Sequence, residues 1–169
     1  MTDKCNQNDA IHMHINAARV VFEIQGDGTM SQCSSLRRCA EHCIEAGCEV
    51  MRFDLSQCIF IDSTFVGTLI HLKRLIAKKE HGSFALIQPA DTCVSALRNM
   101  GILDYICVVD EPPSSDDGVS ITATRDDTDT LQRTIVEAHQ ELAGVPGPAA
   151  EQFRRLAKRL ALEYESTSA

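Results

Sequence analysis

Asp62, Ser63 and Thr64 stand in a row at the end of the apolar run CIFI, with FVGTLI behind them. Two adjacent hydroxyls beside a carboxylate suit three chemistries. One hydroxyl can be a nucleophile, which needs a base within hydrogen-bond reach and donors for an oxyanion. One can accept a phosphate. Or the residues, all preferred helix N-caps, satisfy the first amides of the helix that follows. No G-x-S-x-G elbow surrounds them. His71 lies seven residues after Thr64, two turns along the same face, too far for a direct dyad. Gly26-Asp27-Gly28 is too short for a P-loop or a dinucleotide fingerprint. An enzyme therefore ranks below a binding module.

The cysteines are the other reactive set: Cys5, Cys33, Cys39, Cys43, Cys48, Cys58, Cys93 and Cys107. None forms a C-x-x-C pair. Cys39 and Cys43 share a helix face, but the intervening His42 points elsewhere, and no four ligands converge at zinc spacing. They read as small buried hydrophobes, so neither a metal nor a cofactor is expected. His12 and His14 alternate on one face of a probable strand and read as surface residues.

The elements that must position the hydroxyls follow from periodicity. IHMHI (11–15) alternates as a half-exposed strand, and RVVFEIQ (19–25) returns as the second strand of a hairpin. A helix follows from Ser31 to about Ala46, then the strand EVMRFDL (49–55). After IDST a second helix runs to about Lys79, with Lys73, Arg74, Lys78 and Lys79 in its C-terminal half, where positive charge suits the helix dipole. FALIQ (84–88) is a short buried strand, a third helix runs to about Asn99, and DYICVV (104–109) is the last strand. Strands alternating with helices predict an α/β domain with a partly parallel sheet of about four to five strands, opened by an antiparallel hairpin.

From Glu111 the composition turns polar and acidic, which predicts a linker over 111–129. Two amphipathic helices, about 130–143 and from 149 onward, flank the break GVPGP. They predict a C-terminal α-helical hairpin over 130–169 that buries its apolar face on the domain, on a second copy or on a partner. A homodimer through these helices is one such arrangement, with Arg154, Arg155, Lys158 and Arg159 pairing across it; an ordinary solvated face is the preferred reading of that run.

The chain has 169 residues and a formal net charge of −8. That balance excludes the basic stripe a nucleic-acid binder needs and disfavours anionic lipid. No apolar stretch is long enough to span a membrane, and the polar start MTDKCNQNDA has no signal core, so a cytoplasmic protein is expected.

The stretch DLSQCIFIDST (54–64) followed by VGTLI (66–70), together with LRNMGILDYICVV (97–109), resembles the STAS domain, the fold of the anti-sigma factor antagonists. The resemblance runs from about Ile11 to Val109, giving a domain over 1–110 and leaving the C-terminal hairpin uncovered. It implies a regulatory binding protein with no catalytic group of its own. In such regulators the second hydroxyl of the motif is phosphorylated by a partner anti-sigma factor that is itself a serine/threonine kinase, and a phosphatase reverses the step. Thr64 occupies that position and Ser63 the one before. The implied partner surface is Asp27, Asp62, Ser63, Thr64 and Phe65. A phosphate at a helix N-terminus is electrostatically favoured, so phosphorylation is expected to alter the surface without unfolding the domain. The sequence departs from the family pattern at three points: the acceptor is Thr, Phe65 replaces a Gly, and Gly26-Asp27-Gly28-Thr29 replaces an acidic loop. The alternative is a non-phosphorylated STAS scaffold or a dimeric assembly module.

Overall fold

The β-branched and aromatic run RVVFEIQGDG forms the strand around which the rest is arranged. The computed structural model describes residues 9–112, 114 and 117–167. This strand, β2 (Arg19–Gly28), pairs antiparallel with β1 (Ala10–Asn16), with Asn16 opposite Arg19. The two-residue turn between them holds Ala17 at φ 52°. The first half of β2 pairs in parallel with β3 (Val50–Asp54), which pairs with β5 (Ser83–Ile87), and that with β6 (Val108–Val109). Its last residues, Gly26–Gly28, pair instead with β4 (Cys58–Ile61). A further strand, β7 (Val119–Ile121), lies antiparallel on the outer edge of β1. The result is a mixed seven-stranded sheet, in the order β6-β5-β3-β2-β1-β7 with β4 beside β2.

Two strands exceed the sequence expectation. β4 comes from CIFI, whose outer residues are buried and inner ones exposed, a pattern without clean alternation. β7 sits inside the stretch read as a linker. Three residues carry no usable periodicity; β7 forms because β1 presents unpaired edge N–H and C=O groups. The last strand is shorter than expected: a 3-10 turn takes Leu103–Tyr105, leaving only Val108–Val109 extended.

Helices α1 (Met30–Glu45) and α2 (Ser63–Ile76) pack side by side, and α3 (Asp91–Asn99) lies against β4. Leu36, Ala40, Ile44, Val66, Leu69, Leu72 and Ile76 bury one core with Phe22, Phe53 and Phe84 of the sheet. The Phe22 and Phe53 rings stack at 5.1 Å and Phe53 meets Phe84 at 5.4 Å, an offset geometry that adds to area burial. Cys33, Cys43, Cys48, Cys58 and Cys93 are buried free thiols and Cys107 is exposed; Cys5 lies outside the described residues. Burial pushes the Cys33 thiol up to about 12. Among the described residues no cluster of His, Cys, Asp or Glu is arranged to hold a metal, and no helix is long and apolar enough to cross a membrane.

His14 corrects the surface reading of the HMH pair. It is buried, with Nε2 3.2 Å from Glu23 Oε2. The backbone of Gly118 passes so close that a Cβ there would fall 2.6 Å from the imidazole. The segment leading into β7, invisible in the sequence pattern, is what covers it.

The C-terminal helices α4 (Thr128–Ala143) and α5 (Ala150–Thr167) form the expected hairpin. Asp127 caps α4, its carboxylate accepting from the Thr130 amide at 2.7 Å. α4 packs on α2 and on α1, and Leu142, Val145 and Phe153 enter the main core. The hairpin buries its apolar face on its own domain. The α5 arginines pair within their helix: Arg155 with Glu151 at 3.2 Å and Arg159 with Glu163 at 3.6 Å.

Candidate functional site

The crossing from β4 into α2 is fixed on the end of β2. The Asp62 amide donates to the Gly28 carbonyl at 3.1 Å. The stretch Gly26-Asp27-Gly28 is therefore strand, not loop. Gly28 lies where a Cβ would meet the Phe65 ring at 3.0 Å and Ile61 at 3.2 Å. A side chain there would oblige the Phe65 ring or Ile61 to give by a few tenths of an ångström.

Asp62 is the N-cap of α2. Its Oδ1 accepts from the Phe65 amide at 2.7 Å, and its Oδ2 accepts from the Met30 amide, at the start of α1, at 2.8 Å. One carboxylate thus satisfies first-turn donors of two helices and faces the positive end of both dipoles. Of the three chemistries open to the triplet, capping belongs to Asp62, which leaves Ser63 and Thr64 available for others.

Ser63 is half-buried, and its Oγ lies 3.0 Å from Nε2 of His139 on α4. His139 is buried, and its Nδ1 lies 2.8 Å from the Ile135 carbonyl. A carbonyl only accepts, so Nδ1 carries a proton; in the neutral imidazole Nε2 is then the acceptor and the Ser63 hydroxyl donates. Thr64 is only 4% exposed, and its carbonyl accepts from the Thr68 hydroxyl at 2.9 Å. Asp27 is half-buried at the end of β2, opposite Phe60.

Phe65 corrects the expected surface. It is fully buried, because position 65 is on the core side of α2, where its ring fills the space left by Gly28. It is no anchor for a partner. The exposed apolar residues near the site are others: Met30, Ile59 at 59% and Phe60 at 52%. The structure brings Asp62, Ser63 and Thr64 together at one helix start as expected, and sets Phe65 beneath them.

α4 lies across this start. Gly67 approaches it so closely that a Cβ would stand 2.2 Å from the Ala138 carbonyl oxygen. One turn on, His71 bridges two helices: Nε2 is 2.9 Å from Glu41 of α1 and Nδ1 is 3.1 Å from Glu141 of α4. Arg74 pairs with Glu141, and Arg37 pairs with both Glu41 and Glu137. Burial pushes the Glu41 carboxyl up, but the Arg37 and His71 contacts outweigh it and hold it below the usual range. Ser34 reaches Thr134 at 3.3 Å. The cavity along this seam has a volume of about 10 Å³, at the lower limit for one water molecule.

Sequence reasoning missed His139 and Gly67. Gly67 had a signal: a glycine inside an apolar helix costs helix propensity, and so marks a close approach. His139 had a weaker one, standing four residues after Ile135 on the apolar stripe of α4.

The family model described as "Mlab, STAS domain" matches residues 11–109. No curated protein sequence matches the chain. Among solved structures, the anti-sigma factor antagonist SpoIIAA in its unphosphorylated form superposes with a TM-score of 0.55 at 18% identity, covering 60% of this chain and 90% of that one. A putative anti-sigma factor antagonist of Thermotoga maritima gives 0.54 at 17% identity, covering 60% and 86%. The phosphorylated form of SpoIIAA, from Bacillus, gives 0.50 at 16% identity, covering 60% and 93%. At these identities the likeness is one of fold.

Proposed function

The chain belongs to the STAS domain family, and from that premise we propose that it is a cytoplasmic, non-enzymatic regulator of the anti-sigma factor antagonist kind. It binds an anti-sigma factor or related serine/threonine kinase through the start of α2 and is switched by reversible phosphorylation of Thr64, with Ser63 as the alternative acceptor. A phosphatase resets it.

The observation that carries this reading is the division of labour at one helix start. Asp62 does the capping, so Ser63 and Thr64 are not needed for it. Exposed Met30, Ile59 and Phe60 flank the same point and suit a protein partner. A phosphate on either hydroxyl would add roughly −1.5 to −2 charges there, beside the Asp62 carboxylate. Burial of Thr64 sets a condition the sequence did not suggest: the acceptor is reached only when the packing around it opens.

Phosphopeptide mapping of the protein from its own cells, with affinity capture of what binds it, tests the reading. Phosphate on Thr64 or Ser63 in some growth conditions, and a captured kinase lost on Phe60→Ser, are the expected results. No phosphate at full coverage of residues 53–73 and no kinase captured would overturn it. The second reading, an assembling scaffold, draws on Leu162 of α5, which is 57% exposed. Sedimentation of the intact chain separates the two, since a scaffold self-associates and a switch does not.

A further inference from the structure

The C-terminal hairpin occupies the face that a partner at the start of α2 would need. We propose that α4 is a displaceable ligand of that face within the same chain, and that its stretch from Thr128 to Glu141 lifts away to free Ser63 and the start of α2 while the sheet and α1–α3 stay folded. The inference rests on the partner reading above and adds the regulation of that site.

Four observations support it. The seam is chemically divided. Along most of its length α4 meets α1 and α2 through polar contacts: Thr134 to Ser34, Glu137 to Arg37, His139 to Ser63, Glu141 to His71 and Arg74. The apolar anchors Leu142, Val145 and Phe153 gather at its C-terminal end and beyond. Partly exposed ion pairs hold weakly, so the stretch of α4 ahead of Leu142 is the part that opens. The segment leading into α4, residues 122–127, has no regular structure, is largely exposed, and is held to α1 by hydrogen bonds of Thr124 with Ser35 and Arg38 and of Asp126 with Ser34. A fold of this kind can be complete without such a hairpin, since 60% of this chain superposes on 90% of the unphosphorylated SpoIIAA chain. Finally, Gly67 accepts the α4 backbone at a distance no side chain permits. That is the geometry of a helix-docking groove.

The groove also defines what can compete with α4. It presents Gly67 for a small residue and Arg37, His71 and Arg74 for carboxylates, and Ala138, Glu137 and Glu141 answer these in turn. A displacing partner is therefore a helix that carries a small residue with acidic residues beside it and one turn on.

Gly67→Ala in the full chain tests the proposal, because its two effects have opposite signs. Alanine improves α2 as a helix, while its methyl would lie against the Ala138 carbonyl and push α4 away. Hydrogen exchange measured by peptide is the readout. The expected result is at least a tenfold loss of protection in residues 128–143 and 62–66, with β2, β3 and β5 unchanged. Equal loss across the sheet would show the hairpin to be integral to the fold and overturn the proposal; unchanged protection of α4 would overturn it too. Glu141→Gln, which weakens the His71 and Arg74 contacts without a clash, should raise exchange in α4 severalfold and leave the sheet alone. These readouts use no partner. If α4 opens but phosphopeptide mapping and capture find neither phosphate nor kinase, the partner reading fails and the displaceable helix stands.

Discussion

Ser63 and His139 are 76 residues apart in sequence and 3.0 Å apart in the fold, the hydroxyl of one donating to the ring of the other. This bond joins the helix start of the STAS domain to the C-terminal hairpin. A neutral hydrogen bond of this kind contributes about 0.5–1.5 kcal/mol. A double-mutant cycle of Ser63→Ala and His139→Ala, followed by urea denaturation, should give a coupling of about 1 kcal/mol. Additive single losses would mean the two side chains do not act together.

Thr64 gives the second prediction. The sequence leads one to expect that phosphorylation here leaves the domain folded, but the residue is only 4% exposed. Thr64→Glu would bury a carboxylate with no built partner, which costs about 3–5 kcal/mol where the packing cannot yield. Its melting temperature should drop well below that of Thr64→Val, which keeps the volume and loses only the hydroxyl's hydrogen bonding, about 0.5–1.5 kcal/mol. Equal melting of the two variants would mean that the packing around Thr64 yields at little cost.

Phe65 and Phe60 are five residues apart and should behave oppositely. Phe65→Ala empties a core site against Gly28 and should cost about 3–5 kcal/mol. Phe60→Ala, at a side chain 52% exposed, should change stability by no more than about 0.5 kcal/mol. Chemical denaturation of both decides whether the aromatic surface near the switch is Phe60 or Phe65.

Acid should weaken the fold through two glutamates. The Arg19 hydrogen bond, with that of Arg52, holds Glu111 below its ordinary 4.5, and Glu41 is also held below that value. Carboxylates depressed in the folded state are bound more tightly by protons when unfolded. They stabilise fully above about pH 4.5, and the contribution is lost as pH falls through the lower folded values. Stability measured from pH 7 to pH 3 should fall in that lower window, and Glu111→Gln should flatten the fall. A slope unchanged by the substitution would mean that the Arg19–Glu111–Arg52 cluster carries none of it.

Several features were legible before the fold was known, each for a local reason. RVVFEIQ could only be a strand, and the apolar stripe from Val66 to Ile76 could only be a buried helix face. Asp62-Ser63-Thr64 had to begin that helix, because a carboxylate that short ahead of an apolar run caps it. The two C-terminal helices were equally plain from their stripes. Only the tertiary structure decided what those elements meet. β7 is a strand because β1 has a free edge, and nothing in Val119–Ile121 alone requires it. Phe65 faces inward because Gly28 leaves room for its ring. His139 reaches Ser63 because Gly67 lets two helix backbones touch. Helical and strand periods are properties of neighbouring residues, and a sequence carries them directly. The company a residue keeps across 76 positions depends on how elements pack, and packing is settled by the whole chain at once.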